Sequence, residues 1–272
     1  FIKMDKYLTK ALLGIGSIIH SRIRNNYNLP SPLNDKIINK LQKEAIIHAL
    51  NDRFTLIQGP PGTGKTTVST IIAYNIHQLL KPGDKILICS PSNEAINRIV
   101  ELLNKCGLKA IKLCGRLREF QETLKEEHTY HYLLKKRHSL SSLIRKLIKE
   151  SDKYIPDADK ELNKILFEVN KEIIDAHPII CCTCSASADL RLENVKFKYV
   201  LIDEASQALE PECMLPIMKG AEHLIIVGDH KQLGPVVPCR LAKDQGLDVS
   251  LFERLVAMHR DSVITLTIQY RM

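Results

Sequence analysis

The sequence contains no apolar run long enough to cross a lipid bilayer. Its longest such run, Ala11–Ile19, is far shorter than the roughly 20 residues that a membrane-spanning helix needs. A secretory signal is also disfavoured, because Ser21-Arg22-Ile23-Arg24 stands where small residues would mark a cleavage site. Apolar residues instead recur at helical spacing, at Leu8, Leu12, Ile15, Ile19 and Ile23. We therefore expect a structural stalk helix within residues 1–33. Because the sequence begins with Phe1 rather than with Met, we also expect it to be a segment of a longer protein.

The cysteines lack the pattern of a disulfide scaffold or a zinc finger. There are 8 of them in 272 residues, a chain large enough to fold around its own core. Cys181, Cys182 and Cys184 are close in sequence, but no histidine follows at zinc-finger spacing. Strand alternation would also turn Cys181 away from the other two. We expect buried thiols rather than a metal cluster, and a reducing, cytoplasmic environment.

The composition excludes a disordered tail or a fibrous repeat, and the basic net charge suggests an anionic partner. The chain has 39 basic and 31 acidic residues, for a net charge of +8, and the basic excess lies in residues 1–115. Hydrophobic residues at 44% and charged residues at 26% are typical of a globular protein. A polyanion such as a nucleic acid is one reading of the basic segment, and a solvated basic face is the other. Charge alone leaves both open.

Short apolar runs separated by helical patterns predict the fold class. Runs rich in Ile, Leu and Val of this kind are typical of parallel strands that are buried on both faces. Their alternation with helices predicts an α/β, doubly wound domain with a parallel β-sheet between helices. The predicted strands are Phe54–Gln58, Lys85–Cys89, Ala110–Cys114, Pro178–Thr183, Tyr199–Asp203, Leu224–Gly228 and Val263–Ile268.

The absence of glycine between Gly115 and Gly220 accompanies a break in this alternation. Residues 116–176 are dense in Lys and Glu and contain two amphipathic stripes that Pro156 separates. The stripes consist of Leu140, Leu143, Ile144 and Leu147, and of Leu162, Ile165, Leu166, Val169 and Ile173. We expect two antiparallel helices here, inserted between two parts of the α/β domain at 34–115 and 177–272.

A phosphate-binding loop lies between the first predicted strand and the following helix. The segment Gly59–Thr66 reads GPPGTGKT, which matches the Walker A pattern in its required strand–loop–helix context. Glycines let the backbone curl so that amide N–H groups and a helix N-terminus face a phosphate. Lys65 is expected to reach the β- and γ-phosphates, and the Thr66 hydroxyl to coordinate Mg²⁺.

Two further strands end in polar residues that suit nucleotide hydrolysis. Tyr199–Ala205 delivers Asp203 and Glu204 at its end, where Asp203 would hold Mg²⁺ and Glu204 would orient and deprotonate a water molecule. Leu224–Leu233 ends in Gly-Asp-His-Lys-Gln-Leu, from which Gln232 could sense the γ-phosphate. His230 is better explained as a loop residue than as a base.

In this order the motifs resemble a superfamily 1 helicase. They include Asp203–Gln207 (DEASQ), Gly228–Leu233 (GDHKQL) and Gln269–Met272 (QYRM). The chain is more similar to the up-frameshift RNA helicases of nonsense-mediated mRNA decay than to their relatives in transcription termination, from about Tyr7 to Met272. The stretches that carry this likeness are ALEPECMLP at 208–216, GDHKQLGPVV at 228–237, IICCTC at 179–184 and SLFERLV at 250–256.

The resemblance implies a RecA-like fold and a set of roles. Gln42 matches the residue that hydrogen-bonds adenine, Tyr270 the residue that stacks on the base, and Arg271 an arginine that neutralises transition-state charge. For Gln232, Asp203 and Glu204, the resemblance implies the roles that the motifs already indicate: contact with the γ-phosphate, binding of Mg²⁺ and activation of water. It places phosphate-binding residues at Gly62, Thr63, Gly64, Lys65 and Thr66, and RNA-backbone contacts at Pro91, Ser92, Asn93 and Thr183.

The resemblance also implies partners and leaves rivals open. It implies sequence-independent binding of single-stranded RNA, mRNA surveillance proteins bound through domains outside this chain, and a monomeric first motor domain without its second RecA-like domain. The helical insertion would act as a lid or partner surface. A sister helicase that acts on DNA or in transcription termination, and an ATP-gated RNA clamp, remain alternatives.

Overall fold

A single parallel sheet organises the computed structural model, which describes residues 4–15, 38–115, 128–130, 133 and 158–270. Its seven strands lie in the order β3-β4-β2-β5-β6-β1-β7, and every pair of neighbours is parallel. The strands are β1 (Phe54–Gln58), β2 (Ile86–Ser90), β3 (Ala110–Lys112), β4 (Ile179–Thr183), β5 (Tyr199–Ile202), β6 (His223–Gly228) and β7 (Val263–Thr265). All seven predicted strands are present, and the predicted α/β fold class is confirmed.

The strands are buried because hydrophobic clusters cover both faces of the sheet. Leu56 and Ile202 belong to one cluster, and Ile57 and Leu201 belong to the other. Side chains that alternate along a strand point to opposite faces, so a continuous apolar run fills both cores. Cys181 packs in one cluster while Cys182 and Cys184 pack in the other, as the alternation predicted.

Helices connect the strands and cover the sheet. Several begin at a side-chain cap: Ser92 accepts from the backbone N–H of Ala95 at 3.2 Å, and Ser250 accepts from that of Glu253 at 3.1 Å. The described helices are α1 (Lys6–Leu12), α2 (Lys40–Asn51), α3 (Lys65–Leu79), α4 (Asn93–Lys105), α5 (Ala158–Ala176), α6 (Glu210–Ile217), α7 (Arg240–Asp244) and α8 (Leu251–Met258). None of the helices within the described residues is long and apolar enough to span a membrane.

The amino-terminal helix α1 is shorter than its apolar stripe predicted. Leu8 and Leu12 are buried as expected, but Ile15 is 58% exposed. The helix ends because Gly14 adopts a left-handed conformation with φ of 69°, a common helix terminator. Ile19 and Ile23 lie outside the described residues. Arg254 donates to the carbonyl of Leu12 at 2.9 Å and so fixes the end of α1 to α8.

The predicted helical insertion is described only at its end. Helix α5 contains the second predicted stripe, and its described side chains include a half-buried Val169 and a buried Ile173. The first stripe, Leu140–Leu147, lies outside the described residues. The boundaries at 33, 115 and 176 therefore stay predictions.

Candidate active site

The parallel sheet brings the predicted site residues to one edge. The carboxyl ends of β1, β5 and β6 lie side by side, with Gln58 opposite Gly228 and Ile202 opposite Ile226 in the strand register. The loops that follow these strands carry the GPPGTGKT segment, the Asp-Glu pair and Gln232. The carboxyl edge of an open parallel sheet is where such folds bind ligands.

The Gly59–Thr66 loop forms a cradle at the amino end of α3. Gly62 and Gly64 both have φ of 83°, a left-handed conformation that favours glycine. The Thr63 hydroxyl donates to the carbonyl of Pro60 at 2.8 Å. Helix α3 begins at Lys65, at the end of the loop, so the backbone N–H groups at its start lie beside the glycine-rich segment. This arrangement suits an anion.

Lys65 is buried within this cradle. Its Nζ donates to the carbonyl of Gly59 at 2.8 Å. The ammonium therefore lies inside the loop without a carboxylate partner in any ion pair that the structure describes. A phosphate oxygen would be a stronger acceptor than this neutral carbonyl, because the hydrogen bond would join two charges.

Asp203 and Glu204 leave buried carboxylate oxygens without partners. Asp203 is fully buried, and its Oδ2 has no hydrogen-bond partner among the described residues, while Oδ1 accepts from the N–H of Glu204 at 3.1 Å. Burial, followed by the neighbouring Glu204 carboxylate, raises the pKa of Asp203 to about 6, and the Lys65 ammonium and Thr66 hydroxyl oppose this only in part. An unpaired buried carboxylate oxygen fits a divalent cation.

Glu204 has an unusual backbone conformation. Its φ of 54° makes it the one non-glycine residue with positive φ in the part of the chain that the structure describes. Strain of this kind concentrates at functional sites. Glu204 Oε2 is buried without a hydrogen-bond partner among the described atoms, and the side chain lines the same cleft as Lys65 and Thr66.

Gln42 lies beside the loop, but its amide already has backbone partners. Nε2 donates to the carbonyl of Thr63 at 2.9 Å, and Oε1 accepts from the N–H of Asn39 at 3.1 Å. The amide retains one N–H and one lone pair, so its contact with adenine stays a prediction. The described geometry adds a second role, in which Gln42 braces the loop.

Tyr270 joins the site from the far end of the described chain. Its backbone N–H donates to the carbonyl of Gly62 at 2.9 Å, and its hydroxyl accepts from Asn39 Nδ2 at 2.8 Å. Tyr270 is 54% exposed, which leaves surface available for the predicted contact with a base. No motif predicts the backbone contact, because it joins segments that are distant in the chain. Arg271 lies outside the described residues.

Gln232 also lines the cleft. Its Nε2 donates to Asp229 Oδ2 at 2.7 Å, and its backbone N–H donates to the carbonyl of Asp229 at 3.1 Å. The side-chain carbonyl of Gln232 does not bond to Asp229, because a carboxylate oxygen accepts and does not donate. The predicted contact with a γ-phosphate would need the amide to leave Asp229 or to turn.

The cleft between these residues has a volume of about 320 Å³. It is lined by every described ATP-site candidate except Gln42, Thr63 and Asp203, which are buried. Arg98 of α4 lines the cleft as well. It was not predicted as a site residue, because it belongs to no recognisable sequence motif. The lining residues are Pro60, Pro61, Gly62, Gly64, Lys65, Thr66, Thr67, Arg98, Glu204, Gln232 and Tyr270.

The predicted RNA-contact residues lie at two neighbouring strand ends. Ser90 and Thr183 are partners in the register of β2 and β4, so Pro91–Asn93 and Thr183 share the carboxyl edge of the sheet. The Ser92 and Thr183 hydroxyls accept from the N–H groups of Ala95 and Ala186, at 3.2 and 3.3 Å. These capping bonds explain both hydroxyls structurally, and the RNA contacts stay predictions.

The fold and this site together define a P-loop nucleoside triphosphatase domain. A strand, a glycine-rich loop with a buried lysine, a helix, and an acidic pair on another strand of a parallel sheet are the parts that this class shares. The comparison with known families agrees. The chain belongs to the AAA domain family, whose model matches residues 37–136 and 109–239.

Curated relatives confirm the resemblance to regulators of nonsense transcripts. The chain is 39% identical to the ATP-dependent helicase NAM7 of Saccharomyces cerevisiae over 98% of this chain and 27% of that protein. It is 42% identical to the Regulator of nonsense transcripts 1 homolog of Arabidopsis thaliana over 86% of this chain and 19% of that protein. For Regulator of nonsense transcripts 1 of Dictyostelium discoideum, the identity is 37% over 99% of this chain and 20% of that protein. The chain thus spans about a quarter or less of their length.

Proposed function

We propose that this chain is the ATP-binding motor domain of an RNA helicase that acts in nonsense-mediated mRNA decay. The observation that carries the proposal is the pair of buried, unpartnered carboxylate oxygens on Asp203 and Glu204, beside the cradle that holds Lys65. Unpaired buried charge is costly. It is retained where a ligand supplies the missing partner, and a magnesium nucleotide does so.

The chain's own residues divide the work of binding the triphosphate. The N–H groups at the start of α3 and in the Gly59–Thr66 loop would bind phosphate oxygens, and Lys65 would exchange the Gly59 carbonyl for the β- and γ-phosphates. Thr66 and Asp203 would hold Mg²⁺, which when bound neutralises negative charge on the phosphates. Gln42 and Tyr270 would contact the base.

Hydrolysis would depend on Glu204 and Gln232. The Glu204 carboxylate would accept the proton of the attacking water, since its Oε2 has no protein partner among the described residues. Gln232 would contact the γ-phosphate and so link Asp229 and the β6 loop to the state of the nucleotide. Arg271 would neutralise charge that develops in the transition state.

RNA would bind at the edge formed by β2 and β4, next to β5. Strand β2 lies between β4 and β5, so a movement at Asp203 would reach the loops that carry Pro91–Asn93 and Thr183 through neighbouring strands. The net charge of +8 favours a polyanion. The relatives' names, which include regulators of nonsense transcripts, support a role in mRNA surveillance. Protein partners of that pathway and a cytoplasmic location would accompany this role.

ATP binding tests the nucleotide site directly. We expect wild-type protein with Mg²⁺ to bind a fluorescent ATP analogue that unlabelled ATP displaces, and Lys65→Ala to lose this binding. Lys105→Ala is the matched control, because Lys105 is an exposed cation at the end of α4 outside the cleft. Equal ATP affinity in Lys65→Ala and the control would refute the assignment of this cleft.

Strand separation by a longer protein that includes this chain tests the choice of polymer. We expect unwinding of RNA duplexes with ATP. A strong preference for DNA duplexes would favour a sister helicase instead. ATP hydrolysis with RNA retention but without strand separation would favour an ATP-gated clamp.

A further inference from the structure

Arg98 reaches the nucleotide cleft from an element that is separate from the phosphate-binding loop. It lies on α4, two turns after the Ser92 cap, on an exposed part of that helix. Ile96 and Ile99 on either side of it are buried against the sheet, so α4 is fixed in position. Its side chain lines the cleft together with Lys65, Thr66 and Glu204.

The two cations of this cleft differ in what they already bind. Lys65 donates to the carbonyl of Gly59. Arg98 makes no hydrogen bond or ion pair with any residue that the structure describes. A guanidinium has five N–H donors in a planar fork that matches the oxygens of a phosphate. The N–H donors of the Arg98 guanidinium are therefore available to a phosphate bound in the cleft that it lines.

The charges in the cleft also favour an anion at Arg98. Nucleoside triphosphates carry several negative charges, while the described lining residues offer two cations, Lys65 and Arg98, and one carboxylate, Glu204. A single lysine, even together with the Mg²⁺ that Thr66 and Asp203 would hold, leaves part of that charge uncompensated. Thr66 and Thr67 of α3 lie in the same lining, so a phosphate bound at the start of α3 would lie in the cleft that Arg98 also lines.

We propose that Arg98 binds a phosphate group of the nucleotide, so that the triphosphate is held from α4 as well as from the loop between β1 and α3. The proposal rests on the proposed function of the cleft and adds a binding residue to it. Because α4 directly follows the Pro91–Asn93 segment, the contact would also connect the nucleotide to the helix that begins at the predicted RNA edge.

Competition binding measures the contribution of Arg98. Wild type, Arg98→Ala, Arg98→Lys and the Lys105→Ala control compete ATP, GTP or tripolyphosphate against a fluorescent ATP analogue with Mg²⁺. We expect Arg98→Ala to weaken all three competitors by about tenfold, the size of one charge-assisted contact. Arg98→Lys keeps the charge without the fork and is expected to fall between wild type and Arg98→Ala.

The three competitors separate a phosphate contact from other roles. An ATP affinity of Arg98→Ala equal to that of Lys105→Ala would overturn the proposal. So would a loss confined to ATP with tripolyphosphate unchanged, because the contact would then be with the base. Unfolding curves that match wild type, as expected for an exposed residue, exclude a general loss of structure.

The Lys65→Ala variant distinguishes a failure of the Arg98 proposal from a failure of the proposed function. Loss of binding in Lys65→Ala with full binding in Arg98→Ala would leave the nucleotide site intact and refute only the role of Arg98. Absence of ATP binding by wild-type protein, titrated to millimolar ATP, would refute both.

Discussion

Gln42 donates its side-chain amide to the backbone carbonyl of Thr63 at 2.9 Å and thereby ties α2 to the phosphate-binding loop. The approach is close, because a Cβ at Gly64 would lie 2.8 Å from Gln42 Nε2. Gly64 also has positive φ. The loop therefore keeps its shape through a residue 21 positions earlier in the chain, and this dependence can be measured.

We expect Gln42→Ala to destabilise the protein even without nucleotide. The change removes the donor to Thr63 and the acceptor for the N–H of Asn39, and both groups lie in partly or fully buried positions. An unsatisfied buried group costs about 1–3 kcal/mol of unfolding free energy. Chemical denaturation measures it. Asn51→Ala, which removes a side-chain bond to the Ile47 carbonyl at the other end of α2, is the control for general effects on the helix.

The same variant distinguishes the brace from adenine recognition. If Gln42 acts only by holding the loop, Gln42→Ala weakens ATP and GTP by the same factor, which is the result that the described hydrogen bonds favour. A loss confined to ATP in a competition assay would show that the remaining N–H or lone pair of the amide reads the base.

Local sequence patterns predicted most of the fold and the nucleotide-binding loop. The strands were predictable because each is a short apolar run. The phosphate-binding loop was predictable because its functional residues are consecutive in the sequence, at Gly59–Thr66. The contacts of Tyr270 with Gly62 and Asn39 join distant segments and follow from the placement of β7 beside β1. Arg98 was missed for the same reason, since its position depends on how α4 packs against α3. The end of α1 was predicted too late because Gly14 interrupts an apolar pattern that continues past it.

Asp203→Asn is expected to stabilise the metal-free protein at neutral pH. The rise of the Asp203 pKa from 3.8 to about 6 means that folding works against its ionisation, by about 1–3 kcal/mol at pH 7. Asparagine keeps Oδ1 as an acceptor for the Glu204 N–H and carries no charge. Chemical denaturation in a chelator measures the difference, and Asp244→Asn at an exposed carboxyl is the control.

The stabilising effect of Asp203→Asn should depend on pH in a defined direction. Below about pH 6 the wild-type carboxyl binds a proton in the folded protein, which relieves the penalty. The advantage of the variant should therefore shrink as the pH falls from about 6 towards 3.8. A variant that is no more stable than wild type at pH 7.5 would contradict the burial of an uncompensated charge.

A polypeptide of these 272 residues is expected to bind ATP with Mg²⁺ weakly and not to separate RNA strands. The cleft is open beside Gln232, where Leu233 and Val236 are each 87% exposed. In the family that the chain resembles, a second domain closes over the nucleotide and supplies arginines, and an arginine supplied in trans accelerates related reactions by about 10³–10⁵. Gel-based unwinding and RNA-stimulated ATPase assays test this. Robust unwinding would show that one domain suffices.

Glu204→Gln in a longer protein that includes this chain should keep ATP binding and stop hydrolysis. The amide has nearly the same shape, leaves Asp203 in place and is no worse suited to the positive φ of Glu204. It cannot accept a proton from water, and removing such a base typically costs about 10²–10⁴ in rate. Rapid filtration should find ATP, not ADP, bound to the variant.

Glu101→Gln, at an exposed carboxyl of α4, controls for the change of charge. Wild-type turnover by Glu204→Gln would place the base elsewhere and leave the strained backbone and the unpartnered Oε2 to be explained by a structural role.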